Sequence, residues 1–257
     1  YLGENTPLDP GHLINFLNRN LSQVMNVSRV GQIARFSNLL TGLLEQSAPH
    51  LSSDSDALAQ QLERLILYSL AWSIGGLLEP DDRVKFDEYL RTWDENKMMP
   101  ECGEHETIYE YMVNAETLQW ELWRPPKWKY PKGEKLNYSS LLVPTMDSTR
   151  SLYLIEQLHK QRKAVLMVGG AGTAKTSTAQ MFFNKLDADI MLVKIINFSS
   201  ATTPSMFQFT IEGELDKRGG KNFGPPNSKK MTVFLDDVSM PACKRLGRPA
   251  NTRVLPG

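Results

Sequence analysis

The chain has 257 residues, of which 41% are hydrophobic and 23% are charged, a composition typical of one large or two small globular domains. Lysine plus arginine equals aspartate plus glutamate at 29 each, so no net field favours nucleic acid or an anionic membrane. Cys102 and Cys243 are too few for a disulfide framework or a four-cysteine metal site, which favours a reduced intracellular setting. Tyr1 in place of Met, without a signal pattern, predicts a piece of a longer chain.

Residues 1–122 have the apolar spacing of amphipathic helices. Asp9 followed by Pro10 is typical of an N-cap and a first helical turn, and Gly75-Gly76 is expected to break a long helix. The most apolar run, Leu65–Leu78, is too short to span a membrane and predicts a buried core helix. With no strand pattern in this region, we predict a small all-α bundle. Its helices are predicted at His12–Val24, Val30–Leu44, Ala57–Leu78 and Pro80–Trp93.

Residues 123–140 are rich in proline, lysine and aromatic side chains, beginning at Trp123. Three prolines and a glycine exclude a regular helix. Lysines between aromatics are also found on surfaces that bind single-stranded nucleic acid. We favour a linker whose aromatic rings pack on neighbouring domains.

Residues 141–241 alternate between strand and helix patterns, which predicts a parallel sheet with right-handed crossovers. A Gly/Pro/Lys loop is predicted at Lys217–Lys230. Strands are predicted at Ala164–Val168, Ile190–Ile196 and Thr232–Leu235, and helices at Thr176–Leu186 and Met206–Leu215.

A glycine-rich loop lies between the first predicted strand and the following helix. Its backbone N–H groups and the positive end of the helix dipole can bind several phosphate charges. The lysine can bind the β- and γ-phosphates, and the hydroxyl that follows it can bind Mg²⁺. Ala174 replaces the glycine that usually precedes the lysine, and its methyl group is expected to crowd the β-phosphate unless φ is negative. The loop residues are Gly169, Gly170, Ala171, Gly172, Thr173, Ala174, Lys175, Thr176 and Ser177.

Two alternatives apply to this loop. It is a turn without a ligand, or it belongs to a dinucleotide-binding domain. The second fits less well, because the last glycine of that motif is replaced by Lys175 and the second strand ends in Asn197 rather than an acidic residue.

An apolar strand pattern ends in two carboxylates, Asp236 and Asp237. A strand-end carboxylate that follows a phosphate loop is typical of a Mg²⁺ ligand, here paired with Thr176. Asp237 is the candidate to orient or deprotonate the attacking water, and because it is shorter than glutamate we expect slow hydrolysis or none. The alternative is a simple strand-end turn. Asn197 and Ser199 either reach that water or cap the next helix, and we favour the cap.

Cys102 and His105 have a spacing found in metal sites, but no second pair accompanies them, so a structural role is favoured. The sequence shows no Ser-His-Asp arrangement.

Several sequence words together resemble dynein heavy chain, a ring of six AAA+ modules on one polypeptide, and look more like ciliary (axonemal) than cytoplasmic dyneins. Residues 141–241 are similar to the start of the third module, and residues 28–91 are similar to the helical lid of the second. The matching words are Leu142–Arg150, Gly172–Thr176, Asn197–Ser200, Phe223–Pro226, Phe234–Pro241, Ser28–Gln32 and Gly75–Leu78.

The resemblance implies an α/β P-loop NTPase (AAA+) fold with a partial parallel sheet, preceded by an all-α helical lid. It divides the chain into a lid (1–122), a linker (123–140), the N-terminal part of the nucleotide-binding domain (141–241) and a divergent tail (242–257). It also implies that ATP or ADP binds with Mg²⁺ at a regulatory site. Val143, Pro144 and Thr145 are expected to lie against the adenine.

The implied partners are the other AAA+ modules of the same heavy chain, dynein intermediate and light chains, and microtubules through regions absent here. Neither nucleic acid nor a membrane is expected. The implied location is the cytoplasm, within the cytoskeleton of the ciliary or flagellar axoneme.

The sequence also departs from this family after Pro241, where a truncation, an alternative exon or a sequence error is expected. Without the last strands, a sensor residue and a neighbour's arginine finger, the fragment alone is expected to bind nucleotide weakly and to be inactive as an ATPase. One alternative function is a degenerate P-loop domain that acts as a non-catalytic scaffold. Another is a compact nucleotide kinase or GTPase, which requires a complete sheet in this chain.

Overall fold

The structure is a computed structural model that describes residues 10–94, 96–129 and 141–241. The chain forms two compact units, Tyr1–Lys175 and Thr176–Gly257, which are described separately. Three stretches with predictions lie outside the described residues: Asp9 with its predicted cap, residues 130–140 of the predicted linker, and the predicted tail at 242–257. Among the helices described, none combines the length and the apolar character that a membrane crossing requires.

The first unit is mainly helical. Side-chain caps begin three of its α-helices: Ser28 accepts from the backbone N–H of Gly31, Asp54 from that of Ala57 and Thr145 from that of Ser148. The prediction of a helical subdomain is confirmed, with shifts of a few residues at the helix ends. The helices are α1 (Pro10–Asn20), α2 (Arg29–Ser47), α3 (Ser55–Ser73), α4 (Pro80–Trp93) and α5 (Met146–Lys160).

Helix α1 ends before the predicted boundary at Val24. The N–H of Ser22 donates to the Asp82 carboxylate at 2.8 Å, and the N–H of Val24 donates to the carbonyl of Leu77 at 2.9 Å. These donors are therefore used by other elements rather than by the helix. The Asp82 carboxylate is also bonded to Lys85, and the pKa of Asp82 is lowered first by Lys85 and then by the Ser22 N–H.

The predicted break at Gly75-Gly76 is confirmed. Helix α3 ends at Ser73 and a 3-10 turn follows at Gly75–Leu77. A Cβ at Gly75 would lie 2.2 Å from the Tyr109 hydroxyl and 2.8 Å from ring carbons of Phe86. The glycine therefore allows the backbone to approach two buried rings.

The lid also contains a short β-hairpin that the sequence analysis did not predict. Strands β1 (Tyr111–Val113) and β2 (Trp120–Leu122) pair antiparallel, with Met112 opposite Glu121. Strands of three residues are too short to show a period of two in the sequence. A 3-10 helix at Ile108–Glu110 leads into the hairpin and begins with a capping box between Thr107 and Glu110.

Two apolar clusters form the core of this unit. The first joins α1, α3 and α4, and the second joins α2, α3, the hairpin and α5. Trp123, the first residue of the predicted linker, is buried, with its ring 5.4 Å from that of Tyr153 in α5. This contact lies within one compact unit, so the packing of the linker aromatics on neighbouring domains stays a prediction.

Helix α6 begins at Lys175 and leads into the second unit. Strands β3 (Met191–Asn197) and β6 (Lys230–Asp236) pair in parallel, from Met191 beside Lys230 to Asn197 beside Asp236. The predicted parallel pairing of these two strands is confirmed. The elements are α6 (Lys175–Phe183), β3 (Met191–Asn197), α7 (Pro204–Glu212), β4 (Asp216–Gly219), β5 (Asn222–Gly224) and β6 (Lys230–Asp236).

Two predictions for this half of the chain are wrong. Residues 164–168 do not form a strand, and Leu166 is 60% exposed. An extended run becomes a strand only by pairing with a neighbour, and none of the described strands pairs with it. The predicted loop Lys217–Lys230 instead contains the antiparallel pair β4–β5, which bends at an irregular register beside Gly219.

We expect Gly75→Ala to lower the free energy of unfolding by about 1–3 kcal/mol, because the new methyl group would overpack Tyr109 and Phe86. Urea unfolding followed by circular dichroism measures the change. Gly76→Ala is the matched control, since a Cβ at Gly76 meets no atom within 4 Å. Equal unfolding midpoints for the two variants would contradict the proposed packing.

We expect the stabilising effect of the Tyr111 hydroxyl to disappear at alkaline pH. This hydroxyl donates to Glu106 at 2.5 Å, and the bond, followed by burial, raises the pKa of Tyr111 from 10.0 to about 12. The neutral phenol makes the bond, so its contribution is complete below the ordinary pKa and is lost as pH rises through the folded value.

The measurement is the difference in melting temperature between wild type and Tyr111→Phe at about pH 8 and about pH 11. The difference should shrink at the higher pH. Tyr89→Phe serves as control, because the Tyr89 ring stacks on Phe16 and the substitution keeps that stacking. A Tyr111→Phe difference that is the same at both pH values would contradict the bond.

Candidate functional site

The glycine-rich loop is exposed and follows residues 164–168 directly. Gly172 has φ of +76° and Ala174 has φ of +57°, both in the left-handed region that favours glycine. A methyl group at Ala174 is predicted to crowd the β-phosphate unless φ is negative, and φ is positive. A Cβ at Gly169 would lie 2.9 Å from the Thr173 hydroxyl, so this glycine allows a close approach within the loop.

The Lys175 ammonium group lies within the curve of the loop. It donates to the carbonyls of Gly169 at 3.0 Å and Gly170 at 2.6 Å, and to the Thr173 hydroxyl at 3.2 Å. The lysine is therefore directed at the loop that precedes it. An incoming phosphate would compete with these carbonyls for the ammonium group.

Lys175 is also the first residue of α6, and Thr176 and Ser177 follow in its first turn. The N–H groups at the start of a helix lack partners inside the helix, and the helix dipole is positive at this end. A loop that runs into such a turn is a common arrangement for binding phosphate.

In the second unit, the two residues predicted to bind Mg²⁺ are in direct contact. The Thr176 hydroxyl donates to Asp236 Oδ2 at 2.8 Å. The other carboxylate oxygen, Oδ1, accepts from the backbone N–H of Asp237 at 3.0 Å. Asp236 thus lies at the carboxyl end of β6 with its carboxylate turned toward the start of α6.

This donor set is suited to a metal ion that arrives with phosphate. Among the described residues, no group of three or more His, Cys, Asp or Glu side chains is arranged to hold a metal ion. Mg²⁺ is usually bound by one or two protein oxygens, with water and substrate phosphates completing six ligands. Thr176 and Asp236 fit that pattern and do not form a complete protein cage.

Asp237 lies just beyond β6 with φ of +52° and is exposed. Its carbonyl accepts from the N–H of Met240 at 2.9 Å, so a turn begins here. The metal-ligand interpretation of the aspartate pair therefore fits Asp236, which contacts Thr176, and the strand-end-turn interpretation fits Asp237.

Neither Asn197 nor Ser199 caps the next helix, and that prediction is wrong. Thr203 is the N-cap of α7, with its hydroxyl accepting from the N–H of Met206 at 3.2 Å. The N–H of Ser199 donates to the Thr202 hydroxyl at 2.8 Å. Asn197 stands beside Asp236 in the parallel register, at the carboxyl edge of the sheet. Thr203 directly precedes Pro204, a pattern that could have predicted the cap.

The segment Val143–Thr145 comes directly before α5. Val143 is 49% exposed, while the Thr145 side chain caps α5 by accepting from the N–H of Ser148 at 3.2 Å. The Ser148 hydroxyl in turn accepts from the N–H of Thr145 at 2.8 Å. This capping box leaves Val143 and Pro144 as the residues of the segment whose side chains are not used by the cap.

Comparison with known proteins places this geometry in a family. The profile described as "P-loop containing dynein motor region" matches residues 128–254, and that of the "Dynein heavy chain AAA lid domain" matches residues 11–125. The chain belongs to the dynein heavy chain family. As a dynein P-loop module, it has the α/β AAA+ fold preceded by a helical lid, and it is a nucleotide-binding module of the motor region.

Three axonemal dyneins illustrate the similarity. The chain is 40% identical over 246 residues to the gamma chain of the flagellar outer arm of Chlamydomonas reinhardtii, which covers 95% of this chain. It is 39% identical over 236 residues to human dynein axonemal heavy chain 8, covering 90% of this chain. It is 36% identical over 247 residues to mouse axonemal heavy chain 5, covering 95%. This dynein chain spans about 5% of the length of each of these relatives.

We expect Ala174→Gly to tighten nucleotide binding by about fivefold, because at positive φ the Ala174 methyl group is expected to crowd the β-phosphate, and glycine removes that group. A titration with a fluorescent ATP analogue in Mg²⁺ measures the dissociation constant. Ala171→Gly is the control in the same loop, since Ala171 is not at positive φ and should show no gain. Equal effects of the two substitutions would contradict this explanation.

Proposed function

We propose that this chain is the ATP-binding segment of an axonemal dynein heavy chain, a microtubule-based motor of cilia and flagella. The observation that carries the proposal is the hydrogen bond between the Thr176 hydroxyl and Asp236. It joins the residue after the loop lysine to the acidic end of β6. Similarity to the flagellar outer arm and axonemal heavy chains supports the motor and its location.

In this proposal the loop from Gly169 to Lys175 holds the β- and γ-phosphates, and Val143–Thr145 lie against the adenine. The Lys175 ammonium group exchanges its loop carbonyls for phosphate oxygens, which are stronger acceptors. Thr176 and Asp236 would hold Mg²⁺, and the ion would neutralise phosphate charge. The Thr176 hydroxyl, which donates to Asp236 in this structure, would hold Mg²⁺ through its oxygen.

Hydrolysis at this site would be slow, which fits a regulatory nucleotide rather than the main power stroke. Asp237 is the candidate to orient the attacking water, but it lies in a turn at positive φ and is shorter than glutamate. A short side chain on a constrained backbone reaches less far toward a water beside the γ-phosphate. The other AAA+ modules of the same heavy chain and the intermediate and light chains are the proposed partners.

We expect Lys175→Ala to weaken binding of a fluorescent ATP analogue by at least about tenfold, because the cation that pairs with the phosphates is removed. In wild type, EDTA should remove the part of the affinity that depends on Mg²⁺. Thr176→Val and Asp236→Asn should mainly remove this same part. Titrations with and without Mg²⁺ measure both effects.

Lys163→Ala is the matched control, since Lys163 is an exposed lysine that precedes the loop. If Lys175→Ala binds the analogue as tightly as Lys163→Ala, the chain acts as a scaffold and the nucleotide proposal fails. Binding by wild type that does not depend on Mg²⁺ would remove the proposed roles of Thr176 and Asp236.

A further inference from the structure

Arg150 of α5 is a nearly buried cation that the nucleotide proposal does not use. Its side chain is 12% exposed, and its guanidinium group contacts two carboxylates. One is Glu110 of the lid, with Nη2 at 3.3 Å from Oε1. The other is Asp147 of the same helix, with Nη1 at 3.4 Å from Oδ1.

The two carboxylates differ in how firmly they are held. The Asp147 side chain is 93% exposed, whereas that of Glu110 is 32% exposed. Glu110 Oε2 accepts from the N–H of Thr107 at 2.8 Å and from its hydroxyl at 2.6 Å. The Glu110 carbonyl also accepts from the N–H of Trp123 at 2.9 Å. Glu110 is therefore a fixed anchor, while an exposed pair with Asp147 contributes little.

Helix α5 is held against the lid along its length. Tyr153 packs on Trp123, and farther along a Cβ at Gly42 of α2 would lie 3.5 Å from the carbonyl of Gln157. Just beyond the helix, Gln161 donates to Glu45 at 2.5 Å. The Arg150–Glu110 ion pair connects the N-terminal end of α5 to the lid, about one turn after the Thr145 cap.

We infer that Arg150 is a positioning residue for the base-binding segment Val143–Thr145. By holding the start of α5 to Glu110, it orders the three residues that lead into the helix before a nucleotide arrives. Preorganised residues lose less conformational entropy on binding, and this favours affinity. The inference rests on the proposed function, since it assigns those residues to the adenine.

This role predicts an effect at one end of the nucleotide only. Inorganic tripolyphosphate can occupy a phosphate loop but has no base to meet Val143–Thr145. Loss of Arg150 should therefore weaken the binding of ATP and leave the binding of tripolyphosphate nearly unchanged. A direct contact between Arg150 and phosphate, or a general loss of structure, would weaken both.

The test measures dissociation constants of the full chain for ATP, CTP and inorganic tripolyphosphate, each with Mg²⁺. Wild type should prefer ATP to the other two. Arg150→Gln and Glu110→Gln should each raise the dissociation constant for ATP by about tenfold. The dissociation constant for tripolyphosphate should stay within about twofold of the wild-type value. Because the two residues act as one pair, the double variant should be no weaker than either single variant. Asp147→Asn is the matched control and should keep the wild-type preference.

Arg150→Lys keeps the charge but loses the planar fork, so it should have an intermediate effect and remains informative if Arg150→Gln does not fold. Unchanged ATP preference in both Arg150 variants overturns the inference, as does equal weakening of ATP and tripolyphosphate. If wild type binds none of the three ligands, the proposed function itself fails. If wild type binds ATP and tripolyphosphate equally, the nucleotide loop stands and the positioning role is overturned.

Discussion

The contact between Thr176 and Asp236 is the interaction on which the candidate site depends. It connects the first turn of α6 with the end of β6, although the two residues are sixty positions apart in the sequence. The parallel register of β3 and β6, which sets Asn197 beside Asp236, determines where the strand ends. A shift of one residue in that register would turn the Asp236 side chain to the opposite face of the sheet.

The small number of protein ligands at this contact has a functional consequence. One hydroxyl and one carboxylate cannot fill the six positions around Mg²⁺, so phosphate and water must supply the rest. Binding of metal ion and nucleotide should therefore be coupled, each strengthening the other. Under the proposed function, nucleotide and Mg²⁺ would therefore bind to the P-loop module together.

Helix α5 links the proposed base-binding segment, Val143–Thr145, to the lid that precedes it in the chain. Its first residue follows the Thr145 cap, and its body packs on Trp123 and Tyr68 of the lid. The capping box connects this proposed segment to the helix, and the Arg150–Glu110 pair connects the helix to the lid. Under the proposed function, a short series of direct contacts would therefore connect the bound base to the lid.

Local patterns in the sequence determined the elements that depend on near neighbours. The helix Pro80–Trp93, the break at Gly75, the loop before Lys175 and the strand ending in Asp236 all follow from spacing, caps and glycine within a few residues. Only the tertiary structure decided the β1–β2 hairpin, the missing strand at 164–168, the positive φ of Ala174 and the Arg150–Glu110 pair. Each of these depends on a partner distant in the chain or on backbone angles that side-chain identity does not specify. A short window of sequence contains no information about such a partner, because pairing is settled by which surfaces meet when the chain folds.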